Sequence, residues 1–200
     1  MWNQRYREEG FAYGTEPNDF LLSEYSRIPA GGRVLCLAEG EGRNAVFLAR
    51  KGYSVTAIDQ SPVGLRKAQQ LAAENGVEIS SVAVDLADYD FGRERWDGIV
   101  SIAAHVAPAV RERVHRQVVA SLKTNGVFLL EAYVERHLKM PGLGGPPAAH
   151  RDFFMSLEAL REELRGLYLI VGQEVDRHIS EGRYHQGESA VVQIAACRLA

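Results

Sequence analysis

Apolar and polar positions change period several times along the chain, and the changes mark its elements. Residues 33–37 (RVLCL) form a short apolar run that ends at glycines, the pattern of a buried strand. Over 44–51 the apolar positions take helical spacing through Val46, Phe47 and Leu48, and Gly52 stops the helix. A second strand is predicted over 53–58, ending at Asp59. Ser61-Pro62 then starts a helix, with Ser as N-cap and Pro at the first helical position, running to Asn75-Gly76. The alternation repeats with a strand over 78–84 followed by Asp85, a strand over 96–102, a helix over 108–122 and a strand over 127–133. A short amphipathic helix over 17–27, with Phe20, Leu21 and Tyr25 on one side, precedes the series. Strands alternating with helices of this length predict an α/β fold, a mostly parallel sheet covered on both faces.

The pattern then breaks. Residues 139–152 (KMPGLGGPPAAHRD) are rich in Gly and Pro and predict a long, flexible, exposed loop of the kind that serves as a lid. After a helix near 156–164, two strands over 167–175 and 189–199 are predicted, joined by a turn around Glu181-Gly182. No repeat or linker divides the chain, so residues 1–200 are expected to form a single domain, with residues 1–30 as an arm and helix over its site.

Composition narrows the class. With 200 residues and 46% hydrophobic content, the chain is long enough for one substantial core. A net charge of −3 offers no global attraction to nucleic acid or anionic membrane. No apolar run reaches the roughly 18 residues of a membrane span, and the polar segment 1–10 is unlike a signal peptide. Cys36 and Cys197 fall in separate strands and read as buried, reduced thiols, and the six histidines lack ligand spacing. A cytoplasmic protein with no metal is expected.

In a doubly wound sheet, ligands bind outside the carboxyl ends of the strands. The candidate residues gather there: 38–44 after the first strand, Asp59 after the second, Asp85 after the third, 101–105 after the fourth and 131–133 at the end of the fifth. Gly40 and Gly42 let backbone approach a ligand closely, and the helix that follows offers N–H groups to a carboxylate or phosphate. Asp59 is placed to accept ribose hydroxyls, and Asp85 with the Leu86 N–H to read an adenine edge. The segment 40–45 also fits the G-x-G-x-x-G/A dinucleotide fingerprint, which keeps an NAD(P)-dependent oxidoreductase open. Against it stand the lack of a second, substrate-holding domain and the carboxylates Glu39 and Glu41, which repel a phosphate. Those carboxylates suit a cationic cofactor.

The runs VLCLAEGEGRNA, AIDQS, VDLAD, DGIVSI and GVFLLEAY resemble, in order, the motifs of class I S-adenosylmethionine (SAM)-dependent methyltransferases. WNQRYREEGFAYGTEPNDFL, GRNAVFLARKGYSVTAID and YHQGESAVVQIA resemble the tellurite-resistance (TehB-type) and thiopurine-type small-molecule methyltransferases. The resemblance implies a three-layer, Rossmann-like, seven-stranded sheet of order 3-2-1-4-5-7-6 with the last strand antiparallel. It implies SAM as cofactor, S-adenosylhomocysteine as product, and a cofactor site at Ala38, Glu39, Gly40, Gly42, Asn44, Asp59, Gln60, Asp85, Leu86 and Ser101. Trp2, Tyr6, Tyr13 and Asn18 would form an arm over the cofactor; His105, His185, Tyr13 and Arg43 are the substrate-facing candidates. The family has an acidic residue where Cys36 stands and a glycine where Ala38 stands, and Ala38 would be strained at positive φ.

The implied reaction is in-line methyl transfer to a small-molecule acceptor, a thiol or a selenium or tellurium species among the candidates. A soft anion needs no base, while a hydroxyl or amine would need one, with His105 the first candidate. Neither nucleic acid nor membrane is an expected partner, and the expected state is a monomer or weak homodimer. A non-catalytic SAM-binding module is the remaining alternative.

Overall fold

The structure is a computed structural model that describes residues 2–200. A seven-stranded sheet of order β3-β2-β1-β4-β5-β7-β6 organises the chain. Its strands are β1 (Arg33–Leu37), β2 (Ser54–Asp59), β3 (Ser80–Ala83), β4 (Trp96–Ile102), β5 (Leu122–Tyr133), β6 (Tyr168–Glu181) and β7 (His185–Cys197). β1 to β5 run parallel, and β7 is antiparallel to both of its neighbours. Six helices accompany them: α1 (Trp2–Arg5), α2 (Asp19–Glu24), α3 (Arg43–Arg50), α4 (Pro62–Glu74), α5 (Pro108–Ser121) and α6 (Leu157–Glu163).

The period-2 side-chain alternation of β1 explains the three layers. Val34 and Cys36 point into a core with the apolar faces of α2, α3 and α4, whereas Leu35 and Leu37 point into a second core with α5 and α6. Both faces are therefore apolar, as a central parallel strand requires. Each fully buried leucine adds about 1.5–3 kcal/mol. α4 starts as its sequence demands: the Ser61 hydroxyl accepts the Gly64 N–H, and Pro62 occupies the first turn.

Four segments depart most from the sequence pattern, each for a physical reason. β5 begins at Leu122 instead of 127, because Leu122 already pairs with Trp96; the register then shifts across residues 123–126, where Asn125 adopts φ +65°. β6 runs on to Glu181 through Glu174, Asp176 and His178, polar residues that an edge strand presents to solvent. β7 starts at His185 instead of 189, pairing all the way to that turn. The segment read as a loop over 139–152 is pinned to β7: Gly142 donates to Glu188 O, and Leu143 and Gln186 exchange backbone hydrogen bonds. Its ends form short 3-10 turns at Glu135–Lys139 and Ala148–Phe153. Cys197, read as buried, is half-buried, and both cysteines are free.

The N-terminal arm docks on the β6–β7 turn. Arg183 N donates to Ala12 O at 2.8 Å. A Cβ at Gly182 would lie 2.4 Å from both Ala12 O and Tyr13 Cα, so only glycine permits this contact.

Candidate functional site

A cavity of about 540 Å³ opens over the carboxyl ends of β1 to β4 and is roofed by the arm, residues 143–147 and the β6–β7 turn. That volume lies in the range of small-molecule sites.

The wall made by β1, β2 and β3 is a row of carboxylates. Beyond β1, Ala38 takes φ +48°, the strained left-handed conformation, which costs an L-residue about 1–2 kcal/mol. Glu39 folds under the next turn, where its Oε1 accepts Asn44 N–H at 2.9 Å and Ala45 N–H at 2.8 Å. Those are first-turn N–H groups of α3, so two of the donors read from sequence as open to a ligand are already taken. Burial pushes the Glu39 carboxyl up to about 7 despite these bonds. At the end of β2, Asp59 accepts Gly40 N–H at 3.0 Å and Ser61 N–H at 2.7 Å, and burial raises its pKa as well. Each of its oxygens keeps a second acceptor site, enough for a vicinal diol. Gln60 follows, and Asp85 and Leu86 line the next stretch of wall.

Gly40 and Gly42 work differently from their sequence reading. They take φ +64° and +91°, but a Cβ at Gly40 would meet the Tyr6 hydroxyl at 2.6 Å, and one at Gly42 the Ala68 Cβ at 2.6 Å. Neither lines the cavity. Their small size admits the arm and α4 rather than a ligand.

The facing wall is built from distant parts of the chain. Trp2, Arg5, Tyr6 and Tyr13 of the arm meet Tyr184 and His185 of the hairpin. Tyr184 donates its hydroxyl to Glu8, Lys67 ties Glu41 to the carbonyls of Glu8 and Gly10, and Glu41 accepts Ala12 N–H at 2.6 Å. Behind them lies a buried polar network centred on Glu181. It accepts from Arg43 Nη2 at 2.6 Å, Asn18 Nδ2 at 2.8 Å and Arg177 Nη2 at 3.2 Å. Burial acts to raise the Glu181 carboxyl, but His185 and Arg43 hold it well below the usual carboxylate range. Asn18 also bonds Glu131 at 2.7 Å and receives no place on the cavity surface, and Ser101 is buried within β4.

The two candidate histidines differ. His105 Nε2 accepts the Tyr133 N–H at 3.1 Å, and Nδ1 donates to Phe153 O at 3.0 Å. Burial lowers its pKa to about 4. With both nitrogens engaged, His105 holds the wall and has no lone pair for an acceptor's proton, a correction to its reading as the first base. His185 lies 3.6 Å through Nδ1 from Glu181 Oε2, packs on Tyr13 at 4.4 Å, and has no protein partner for Nε2 among the described residues. Burial lowers its pKa, against the neighbouring Glu181, which acts to raise it.

Of the sequence candidates, Ala38, Glu39, Asn44, Asp59 and Gln60 reach the cavity with Asp85 and Leu86. Tyr6, Tyr13, Arg43, His105 and His185 also reach it; Gly40, Gly42, Asn18 and Ser101 stand behind. Sequence reasoning missed Arg5, Tyr184 and Glu181. The charged residues inside the β6 pattern were the available signal for Glu181. Chemically, three carboxylates and a plugged helix terminus disfavour a pyrophosphate and favour a cation carrying a diol.

Residues 34–126 match the family described as a methyltransferase domain. An uncharacterized methyltransferase of Synechocystis is 33% identical over 146 residues, covering 72% of this chain and 64% of the relative. The chain spans less than two thirds of the length of the curated relatives it matches. The structure of TehB from Haemophilus influenzae superposes with a TM-score of 0.73 at 17% identity, covering 98% of this chain and 65% of that one. A protein from the conversion of a disulfide bond into a thioacetal group during echinomycin biosynthesis gives 0.76 at 17% identity, covering 99% and 91%. These structural likenesses concern the fold.

Proposed function

We propose that the chain is a SAM-dependent methyltransferase, the reading its methyltransferase-domain match supports, and that it binds SAM in this cavity and transfers a methyl group to a small molecule. The favoured acceptors are a thiol or a selenium or tellurium anion. One observation carries the choice of cofactor: Glu39 fills the α3 N-terminus and stands in one wall with Asp59 and Asp85. A pyrophosphate would find carboxylate where the dinucleotide fold offers free N–H groups. SAM fits the same donor set, with its ribose diol at Asp59 and its sulfonium facing carboxylates.

Bound SAM supplies an electrophilic methyl carbon on a positively charged sulfur. The chain's part is placement and exclusion of water. Asp59 fixes the ribose, Asp85 and Leu86 bracket the base, and the arm and the segment 143–147 cover the site. Orientation alone reaches effective molarities of about 10⁵–10⁸ M in well-placed intramolecular reactions. For an acceptor that ionises only on attack, His185, its Nδ1 beside Glu181 and its pKa lowered by burial, is the proton-accepting candidate in place of His105. A thiolate or chalcogen anion would bypass it.

The test is transfer of label from methyl-labelled SAM to a panel of thiols, selenite, tellurite and phenols. Label on one of these acceptors is expected. A silent panel together with tight SAM binding would replace the enzyme with a cofactor-binding module.

A further inference from the structure

We propose that Glu39 distinguishes the cofactor from its product, an inference that rests on the SAM reading above. Its carboxyl meets the sulfonium as a carboxylate and the neutral thioether of S-adenosylhomocysteine as the acid. Methyl transfer removes one positive charge from the cofactor and alters its shape little, so a group that separates the two forms has to read charge.

The sheet brings Glu39 to the sulfur. Its order runs β3-β2-β1-β4, and neighbouring strands lie about 4.8 Å apart. Asp85 follows β3, Asp59 ends β2 and Glu39 follows β1, and all three line the cavity. With the base at Asp85 and the ribose at Asp59, the sulfur on the ribose 5′ carbon comes next, over β1. The strand after that adds no anion, since β4 is followed on the cavity wall by Ala103, Ala104 and His105.

The surroundings of Glu39 suit either form of its carboxyl. Oε1 accepts both N–H groups, those of Asn44 and Ala45, while Oε2 takes no N–H among the described residues. Asp59, by contrast, has an N–H on each oxygen. Burial is the strongest influence on Glu39; Asp59 at the end of β2 adds to it, against Arg43 of α3 and the two N–H groups. The buried Cys36 thiol of β1 lies beside it. The carboxyl titrates at about 7, so the empty cavity holds both forms at neutral pH. A sulfonium at Oε2 expels the proton, and a thioether lets it return from solvent.

The experiment is calorimetry of the full chain and of Glu39→Gln with SAM and S-adenosylhomocysteine at pH 6, 7 and 8. Buffers of different ionisation enthalpy count the protons released. The amide keeps an oxygen for the Asn44 and Ala45 N–H groups but cannot ionise. The ligands' own amino groups titrate with both proteins, so each quantity is read as wild type against variant. By that measure SAM affinity should rise about tenfold from pH 6 to pH 8, with about half a proton more released at pH 7. S-adenosylhomocysteine should show neither change. Equal gains for both ligands would overturn the inference, because Glu39 would then answer to a part they share; so would no gain for either. A second pair, 5′-methylthioadenosine and its S-methyl sulfonium, carries no amino group and tests the wild type alone. The sulfonium should gain about tenfold over the same range and the thioether should not; equal responses would overturn the inference. Failure of all four ligands to bind would instead overturn the SAM reading itself.

Discussion

On the wall of the cavity made by β1, β2 and β3, carboxylates are held by backbone N–H groups of their own turns, whereas on the facing wall side chains from opposite ends of the chain hold one another. Glu39 binds the N–H groups five and six residues on, and Asp59 binds that of Ser61 two residues on. Across the cavity, Asn18 meets Glu181 over a separation of 163 residues, and Tyr184 meets Glu8 over 176. The first wall is complete once each strand–turn–helix unit has formed. The second exists only after the arm and the last hairpin have both docked, so its loop closure costs more entropy and its geometry depends on side-chain ion pairs.

The largest effect should come from breaking the facing wall at its centre. Glu181→Ala would leave Arg43 and part of Arg177 buried without their carboxylate, and should cost about 3–5 kcal/mol in urea unfolding. A loss below about 1 kcal/mol would mean that apolar contacts hold the arm, and the contrast between the walls would fail.

On the near wall, the sharper probe is pH. The folded Glu39 carboxyl titrates at about 7, above its ordinary value of 4.5. Its contribution to stability is therefore present below that ordinary value and is lost as pH rises through about 7. Urea midpoints of the wild type should fall between pH 5 and pH 8, roughly the span of that titration. Glu39→Gln should flatten the fall. An equal slope in the variant would show that Glu39 is not the group titrating.

The smallest effect is expected at Ala38. Replacing it by glycine removes the Cβ strained at φ +48° but frees the unfolded chain, so a net gain of up to about 1 kcal/mol should appear as a modest rise in Tm. A fall in Tm would mean that the methyl group's packing outweighs its strain.

The same contrast decides what could be read in advance. β4 spans the residues its apolar run predicts, and Asp59 stands at the cavity because a strand end and an N-capped helix place it there. These depend on periodicity and local turn chemistry, which sequence carries directly. The roles of Gly40 and Gly42 are not legible in sequence, because what fills the space above them, Tyr6 and Ala68, lies in other elements. His105 looked available because its partners, Tyr133 N and Phe153 O, are 28 and 48 residues away. Arg5 drew no notice because a charged residue near a terminus reads as solvated surface until Trp2 and Tyr184 are seen against it.

The carboxylate wall is tested most directly by calorimetry of the wild type and Asp59→Ala with S-adenosylhomocysteine, NAD(H) and NADP(H). The wild type should bind S-adenosylhomocysteine saturably and neither dinucleotide, and Asp59→Ala should weaken that binding by about 10- to 100-fold through loss of at least one charge-assisted bond. Saturable binding of NAD(H) or NADP(H) with none of S-adenosylhomocysteine would contradict it.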